Sequence, residues 1–338
     1  MTPQRIQRVL RAAFGLALAG VLVFCAGFAW YATTELATAP LPLQFDLRPG
    51  SSTRTAAKQM KRAGVLKHAR PFIAMTRLLG EAGNIKAGNY EINEPVTPYR
   101  LLRKITAGEV TQVAIKFVEG WTFRDMRIAL DNHPDVAHNT RGLTSAEILK
   151  RLNIEQTSPE GLFFPDTYYF AKGSSDLRVL RRAYRLMQSQ LQARWAKRDP
   201  DLPLATAYEA LILASIVEKE TGSENERGLV AAVFLNRLRK GMLLQADPTV
   251  IYGLGEAFDG NLRKRDLVTD TPHNTYTRVG LPPTPISMPG LASLDAALKT
   301  PESDVLYFVS RGDGSSHFSR TLGEHERAVT KYQRSGRR

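Results

Sequence analysis

The chain has 338 residues, 43% of them hydrophobic and 23% charged, a composition that predicts about two folded domains and excludes extensive disorder. The formal net charge of +13 suits an anionic partner, such as a membrane surface or an acidic polymer. The sequence has no nucleic-acid-binding signature, phosphate-binding glycine loop or nucleophile elbow, so we expect no nucleic-acid partner. The single cysteine, Cys25, excludes an intramolecular disulfide and a cysteine-based metal site.

The N-terminal segment predicts a membrane-spanning helix. Residues 12–32 carry no charge and form a run long enough to cross a bilayer. The run is preceded by Arg5, Arg8 and Arg11. Trp30 and Tyr31 lie at its far end, where amphipathic rings favour the membrane interface. Because the arginines precede the run, we expect residues 1–11 in the cytoplasm and the rest of the chain on the other side.

A cleaved signal peptide is the alternative for this segment, since residues 37–39 read Ala-Thr-Ala, like a cleavage site. Two features favour a retained anchor: the apolar run is longer than the usual signal-peptide core, and Pro40 would follow the cut. Cys25 then lies within the membrane and the exported part has no thiol, which fits an oxidising compartment.

Residues 43–118 predict a small module with the element order β-α-α-β-α-β. The predicted elements are a strand at 43–47, helices at 53–64 and 72–79, a strand at 88–92, a helix at 98–106 and a strand at 110–118. The sequence of this module contains no cluster of titratable side chains, which indicates a binding or spacer function.

An aromatic segment at 160–170 follows helices predicted at 123–131 and 145–152. Its rings and carboxylates suit the binding of sugar rings, and they suit an ordinary aromatic core equally well. Residues 177–198 then predict a long basic amphipathic helix whose charged face is solvated.

An apolar stretch runs from residue 208 to 221. Every residue from Ala210 to Val217 except Ser215 is apolar, so a helix here is predicted to be buried on most of its circumference. Helical spacing places Ser215 and Glu218 on one face and Glu220 roughly opposite. Desolvation at the end of a core helix would raise the pKa of Glu218 and suit it to general acid catalysis. The alternative is an ordinary solvated helix end.

The C-terminal part combines helices with polar loops. After a helix predicted at 227–239, Asp247-Pro248 is typical of a helix N-cap followed by proline. Polar side chains on non-helical backbone at 271–286, with a rigid proline turn, suggest the wall of a cleft. The sequence then predicts a helix at 293–299, a hairpin of strands at 305–310 and 317–319, and a last helix with a capping box of Thr321 and Glu324.

Several of these motifs, in this order, resemble the endolytic murein transglycosylases, the MltG or YceG-like family. The resemblance is carried by residues 214–220 (ASIVEKE), 233–238 (VFLNRL), 245–253 (QADPTVIYG), 274–276 (NTY), 280–286 (GLPPTPI) and 307–309 (YFV). It includes the membrane anchor and extends weakly over the small module, which is similar to the family's LysM-like subdomain. Three places depart from the family pattern, which usually has tyrosine, glycines and asparagine there: His273, Ser315-Ser316 and Glu326.

The resemblance implies an α+β protein with a transmembrane helix at 12–32, a small LysM-like α/β subdomain at 43–118 and a larger α+β catalytic domain at 119–338. It implies a single-pass protein of the inner membrane, with residues 1–11 in the cytoplasm and the catalytic domain in the periplasm. The expected partners are peptidoglycan glycan strands, the membrane, and peptidoglycan synthases of the penicillin-binding type.

The resemblance places the catalytic glutamate on Glu218 and calls for neither a metal nor an organic cofactor. In the reaction that it implies, the glutamate protonates the glycosidic oxygen between MurNAc and GlcNAc. The same carboxylate then takes the proton of the MurNAc C6 hydroxyl, which closes on C1 to give a 1,6-anhydro end. Asp247 or Glu220 could assist electrostatically. The expected substrate-binding residues are Gln245, Asp247, Thr249, Tyr252, Asn274, Tyr276 and His317.

Two other functions stay open at this point. A muramidase would let water attack and would use a second carboxylate, such as Asp247 or Asp166, as the base. A non-catalytic, membrane-anchored peptidoglycan-binding protein would cut nothing.

Overall fold

A computed structural model describes residues 3–36, 40–220, 223 and 225–334. Its contacts divide the chain into two compact units, one of residues 1–113 with 170–173 and one of residues 114–169 with 174–338. Helices and short strands mix along the chain, in line with the expected α+β class. The candidate cleavage site at 37–39 lies outside the described residues, and the LysM-like character of the small module stays a prediction.

The N-terminal helix α1, Pro3–Thr33, contains the predicted membrane span. Within it, Phe14–Thr33 is long and apolar enough to cross a bilayer, and its apolar window is not covered by the rest of the protein. Near the end of the helix, Ala32 is buried in the core of the smaller unit. The structure therefore has one candidate membrane helix in the described residues, and its end is tied to folded protein.

The smaller unit contains β1 (Leu43–Leu47), α2 (Thr53–Arg62), α3 (Ala69–Leu78), β2 (Gly88–Ile92) and α4 (Pro98–Ala107). β1 and β2 pair antiparallel, and the helices bury Met60, Phe72 and Leu101 in one core with Tyr90 of β2. The predicted starts of α2 and α4 are confirmed, because a side-chain oxygen caps each one. The start of α3 lies earlier than predicted, since no side chain caps it and the sequence carried no start signal.

The larger unit is mostly helical. Its helices are α5 (Phe123–Asn132), α6 (Ser145–Leu152), α7 (Asp176–Trp195), α8 (Ala207–Glu220), α9 (Arg227–Arg239), α10 (Asp247–Leu254), α11 (Lys264–Val268), α12 (Leu291–Leu298) and α13 (Leu322–Val329). The remaining strands of the chain are β3 (Gln112–Lys116), β4 (Val136–Ala137), β5 (Thr167–Ala171), β6 (Ser174–Ser175), β7 (Tyr307–Ser310) and β8 (Ser316–Ser319). β3 pairs with β5, β4 with β6 and β7 with β8, so each sheet has two strands.

Helix α8 lies at the centre of the larger unit. It packs against α7, α9, α10 and α12, and every residue from Ala210 to Val217 is buried. The predicted burial on most of its circumference is confirmed. Because neighbours surround the helix, its two terminal carboxylates, Glu218 and Glu220, are presented to different neighbouring elements.

The aromatic segment that begins at Glu160 is part of the core. Phe163 is fully buried and stacks on Phe123 of α5 with ring centroids 5.2 Å apart, and Phe164 is also buried. Of the two interpretations left open for this segment, the structure favours the aromatic core at these positions.

Two capping predictions in the C-terminal part have opposite outcomes. The capping box is confirmed: Thr321 Oγ1 accepts a bond from Glu324 N, and Glu324 Oε2 accepts one from Thr321 N. The N-cap prediction for Asp247 is wrong, because Ala246 occupies the N-cap position and Asp247 is the first residue of α10. The Asp247 side chain is thereby free to make a tertiary contact.

Candidate active site

One face of α8 holds the loop that precedes α12. Ser215 Oγ accepts a bond of 3.0 Å from Ile286 N, and the Ser215 carbonyl accepts one of 3.1 Å from Ser287 Oγ. One turn later, Glu218 Oε2 accepts a bond of 2.9 Å from Gly290 N. Ser215 and Glu218 thus share a face, as the helical spacing predicted, and in this structure that face fixes a loop.

The other carboxylate at the end of α8 has a different environment. Glu220 lies close to Asp247 and Arg237. Burial, followed by the charge of Asp247, raises the pKa of Glu220 to about 8, against an opposing effect of Arg237. A carboxyl group with this pKa keeps its proton at neutral pH, as a general acid must. Glu220, two residues after Glu218, is therefore a second candidate for the general acid at the end of α8.

Asp247, at the start of α10, is held by a tyrosine. Tyr276 Oη donates a bond of 2.5 Å to Asp247 Oδ1. Burial, this bond and the charges of Asp247 and Glu220 raise the pKa of the Tyr276 hydroxyl, which therefore stays protonated as a donor. Asp247 itself is exposed, so its second oxygen remains accessible to a ligand.

A buried arginine completes the cluster. Arg237 of α9 donates from Nε to the Leu306 carbonyl at 2.8 Å and from a terminal nitrogen to the Leu244 carbonyl at 2.8 Å. Its guanidinium carbon lies 5.1 Å from the centre of the Tyr307 ring. Burial lowers the pKa of Arg237, an effect that the nearby Tyr307, Tyr276 and Glu220 oppose. The guanidinium therefore forms a fixed positive charge next to the two carboxylates.

Two of the predicted binding residues, Thr249 and Asn274, are buried next to this cluster. Thr249 is fully buried, and its hydroxyl lies 2.8 Å from that of Thr275, which accepts a bond from Ala246 N. Asn274 is also buried, donates to the Thr269 carbonyl at 2.7 Å, and accepts from Tyr276 N at 2.8 Å. Thr249 and Asn274 thus position Asp247 and Tyr276.

Gln245, another predicted binding residue, is exposed between two buried residues, Leu244 and Ala246. Its φ of 52° is in the left-handed region that few non-glycine residues adopt. Its backbone N donates to the Thr275 carbonyl at 3.1 Å, and its side-chain oxygen is 3.4 Å from Arg237. The side chain is exposed beside the cluster and is available to a ligand.

Tyr252, farther along α10, contacts a second buried carboxyl group. Its hydroxyl donates a bond of 3.2 Å to Glu160 Oε2, and its ring lies 4.8 Å from that of His273. Burial raises the pKa of Glu160 to about 7, although bonds from Phe123 N and Tyr252 oppose the rise. Tyr252 therefore serves a polar centre of its own, distinct from the group around Glu220.

His317 lies in the hairpin of β7 and β8. Its described contacts are with Arg311, 3.5 Å from Nδ1, and with the ring of Tyr332, 5.7 Å away. None of them joins His317 to Glu220 or Asp247, so its predicted role in substrate binding stays a prediction.

The described part of the chain contains no group of three or more His, Cys, Asp or Glu side chains placed to hold a metal ion. With Glu220 protonated at neutral pH, the charges of Asp247 and Arg237 compensate each other beside it.

A sequence model of the YceG-like family matches residues 45–331, which is most of the chain. This chain belongs to the YceG-like family. The match includes both units of the structure and every residue of the cluster around Glu220.

Two relatives of this chain are named endolytic murein transglycosylases. The endolytic murein transglycosylase of Bacillus subtilis (strain 168) is 29% identical over 307 residues, which cover 86% of this chain and 84% of that protein. The endolytic murein transglycosylase of Streptococcus pneumoniae serotype 2 is 25% identical over 320 residues, which cover 85% of this chain and 57% of that protein. This chain therefore matches little more than half of the pneumococcal protein's length.

The fold also has a counterpart among solved structures. The crystal structure of a YceG-like protein from Listeria monocytogenes aligns with a TM-score of 0.51 and 28% sequence identity. The alignment covers 84% of this chain and 98% of that one.

For this YceG-like chain, reasoning from sequence missed Arg237 and Glu160 as parts of polar centres. Arg237 interrupts the apolar run of α9 and is buried there. A charged residue in an otherwise apolar helix is a signal that the sequence contains, because charged side chains are rarely buried unless they are paired. Glu160 was noted only as part of an aromatic segment. Its proximity to Tyr252, 92 residues later, has no signature in the sequence.

Proposed function

We propose that this protein is an endolytic lytic transglycosylase that cleaves the β-1,4 bond between MurNAc and GlcNAc within peptidoglycan strands. The relatives named endolytic murein transglycosylases support the reaction class. The single observation that carries the proposal in this chain is Glu220, a carboxyl group with a pKa of about 8 beside the accessible carboxylate of Asp247. It is a proton donor at neutral pH, and glycosidic bond cleavage begins with that step.

In the first half of the reaction, the Glu220 carboxyl gives its proton to the glycosidic oxygen. The bond from C1 of MurNAc to that oxygen breaks, and the GlcNAc hydroxyl leaves. Positive charge then develops on the MurNAc ring. The accessible oxygen of Asp247 stabilises this charge, while Tyr276 keeps the carboxylate in place.

In the second half, the ionised Glu220 takes the proton of the MurNAc C6 hydroxyl. The C6 oxygen bonds to C1 of the same sugar at the same time. The product is a 1,6-anhydroMurNAc end, Glu220 is protonated again, and no water is consumed. Arg237 stabilises the carboxylate that exists between the two halves. One carboxyl group thereby serves as acid and then as base.

We assign the proton transfers to Glu220, with Glu218 as the alternative that the resemblance suggested. Glu218 accepts a bond from a backbone N–H of the loop before α12, a contact that suits a structural role. Glu220 shares its surroundings with Asp247 and Tyr276, two of the residues expected to bind substrate.

A muramidase is the second candidate, and the proximity of Asp247 to Glu220 favours it over other hydrolases. In that reaction Asp247 would activate a water and the new end would be reducing. Mass spectrometry of glycan strands digested by the purified protein separates the possibilities. Anhydro ends support the lytic transglycosylase, reducing ends support the hydrolase, and uncut strands support a non-catalytic binding protein.

We further propose that α1 is a retained, single-pass anchor in the inner membrane, with residues 1–11 in the cytoplasm and the larger unit in the periplasm. The exposed apolar stretch Phe14–Thr33 supports this placement. There the enzyme would terminate the elongation of nascent strands beside penicillin-binding synthases, and the small LysM-like module would position it.

A reporter that is active only outside the cytoplasm tests this topology. Fused after residue 338, it should be active. Recovery of a soluble chain that begins at Pro40 would exclude the anchor.

A further inference from the structure

A cavity of about 530 Å³ opens in the larger unit beside α5. Its volume falls in the range of about 300–1,000 Å³ that is typical of small-ligand sites. Its lining includes the buried Glu160 and the half-buried Tyr252. It also includes two arginines, the exposed Arg124 and the half-buried Arg127, which we call the rim arginines. The apolar part of the lining is formed by Phe123, Ile128 and Pro159.

The two rim arginines are available to a ligand. They are three residues apart on α5 and therefore lie on the same face of that helix. Arg124 pairs with Glu256 at 2.7 Å, but both side chains are largely exposed (65% and 81%), and such pairs contribute little and exchange easily. Arg127 makes one long bond of 3.4 Å, to the Thr140 carbonyl. Among the described residues, neither guanidinium pairs with a buried carboxylate.

The negative charges near the rim are few. Asp131 also lines the cavity, and its carboxylate lies 3.9 Å from Arg141. Glu160 has a pKa of about 7 and is therefore largely protonated at slightly acidic pH. The rim thus favours a ligand with a carboxylate, because a guanidinium binds that group through two parallel hydrogen bonds.

The cavity lies close to the candidate active site. Tyr252 follows Asp247 by five residues on the same helix, α10, which corresponds to about 7.5 Å along the helix axis. The two side chains are also about 140° apart around the helix. An extended peptide of several residues, at about 3.3–3.6 Å per residue, can span this separation, so a group bound against Tyr252 and a sugar bound against Asp247 can belong to one substrate molecule.

We propose that this cavity binds the peptide stem that MurNAc carries on its lactyl group. This inference rests on the proposed function. A peptide stem has free carboxylates for Arg124 and Arg127 and small methyl side chains for Phe123 and Ile128. Its backbone amides can bond to the Tyr252 hydroxyl. The site makes the enzyme prefer strands that retain their stems.

Glu160 is not the residue to change in a test, because its carboxyl also accepts a bond of 3.0 Å from Phe123 N at the start of α5 and supports that helix. The arginines have no such role. Arg124→Gln combined with Arg127→Gln removes both charges and keeps hydrogen-bonding side chains of similar length. Arg178→Gln combined with Arg185→Gln, at two exposed positions of α7, is the matched control for the loss of two positive charges.

The experiment compares uncrosslinked strands that carry stems with the same strands after an amidase has removed the stems. For the full-length protein, we expect a KM about tenfold lower on stem-bearing strands, the value of one well-placed charged contact. The Arg124→Gln, Arg127→Gln variant should lose this preference with kcat unchanged, and the Arg178→Gln, Arg185→Gln control should retain it. Equal KM values for wild type on the two substrates, or an equal change on both in the Arg124→Gln, Arg127→Gln variant, would overturn the proposal.

Binding of the same two strand preparations, measured by co-sedimentation, separates this inference from the proposed function. Tighter binding of stem-bearing strands, lost in the Arg124→Gln, Arg127→Gln variant, supports the cavity's role even if neither preparation is cut. Equal binding of both preparations by wild type contradicts it even if both are cut.

Discussion

Tyr276 and Asp247 are joined by a hydrogen bond of 2.5 Å between residues 29 positions apart in the sequence. The bond places a fixed carboxylate beside Glu220, whose pKa it helps to raise. Asp247 begins helix α10 and Tyr276 lies in a loop, and the buried pair of Thr249 and Thr275 joins these two segments. The pKa of Glu220 therefore depends on three chain segments: the end of α8, the start of α10 and the loop that contains Tyr276.

We first predict that Tyr276→Phe lowers kcat about tenfold, because Asp247 loses the donor that fixes its orientation toward the developing positive charge. KM and the melting temperature should change little, since the phenylalanine fills the same space. The assay is the release of anhydro-muropeptides under saturating substrate. Tyr169→Phe, at an exposed position, is the control, and an unchanged kcat in Tyr276→Phe would contradict the role given to Asp247.

Paired variants of α8 test the assignment of the general acid. Glu220→Gln should lower activity at least about a hundredfold, since one group acts in both halves of the reaction and acid–base catalysis contributes about 10²–10⁴. Glu218→Gln retains an oxygen that accepts the bond from Gly290 N and should cost much less. Anhydro-muropeptide release is the measurement, with thermal melts as the control for folding. An inactive, folded Glu218→Gln beside an active Glu220→Gln would return the role to Glu218.

The pH dependence of kcat/KM should report on Glu220. A general acid works only while it is protonated, so activity should persist through neutral pH and fall as the pH rises through about 8. Asp247→Asn removes a negative charge that raises the pKa of Glu220, so the alkaline fall should move to lower pH. An alkaline limb at the same pH in this variant would show that Asp247 does not tune the acid.

Glu160 should make the folded protein less stable at higher pH. Its pKa is raised from 4.5 to about 7, so between these values the folded state holds a proton that the unfolded state has lost. Stability therefore falls as the pH rises from about 4.5 to 7 and levels off above, by on the order of 3 kcal/mol. Glu160→Gln should remove this loss and raise the free energy of unfolding at pH 8 by about 1–3 kcal/mol.

The measurement for Glu160 is urea unfolding at pH 5 and pH 8. Glu302→Gln, at an exposed position, controls for the loss of one negative charge. A difference between wild type and Glu160→Gln that is the same at both pH values would refute the linkage to this carboxyl group.

Two glycines with the same backbone conformation should respond differently to alanine. Gly161 and Gly142 have φ of 74° and 78°, so each alanine is strained by about 1 kcal/mol or more. A Cβ at Gly161 would also lie 2.5 Å from Pro285 Cβ, whereas one at Gly142 meets nothing within 4 Å. Gly161→Ala should therefore destabilise by about 2–4 kcal/mol and Gly142→Ala by about 1 kcal/mol. Equal melting temperatures for the two variants would contradict the close approach of Pro285.

Elements with a strong local signal could be predicted from the sequence. The capping box of Thr321 and Glu324, the capped starts of α2 and α4, and the long apolar run of α1 are each determined by residues within a few positions of one another. The burial of α8 was predictable for the same reason, since an almost continuous apolar run has no face to present to solvent. The α3 start and the position of Asp247 in its helix were not, because neither is marked by a side-chain cap.

The sequence by itself determined that a carboxylate lies at the end of a buried helix, and that Ser215 and Glu218 share a face. Only the tertiary structure decided which carboxylate lies buried beside a second acidic side chain. That decision depends on what packs against each side of α8: a backbone N–H at Gly290 on one side, and the charge of Asp247 in a buried setting on the other. A pKa is set by solvent exclusion and by charges within a few ångströms, and residues far apart in the chain supply both.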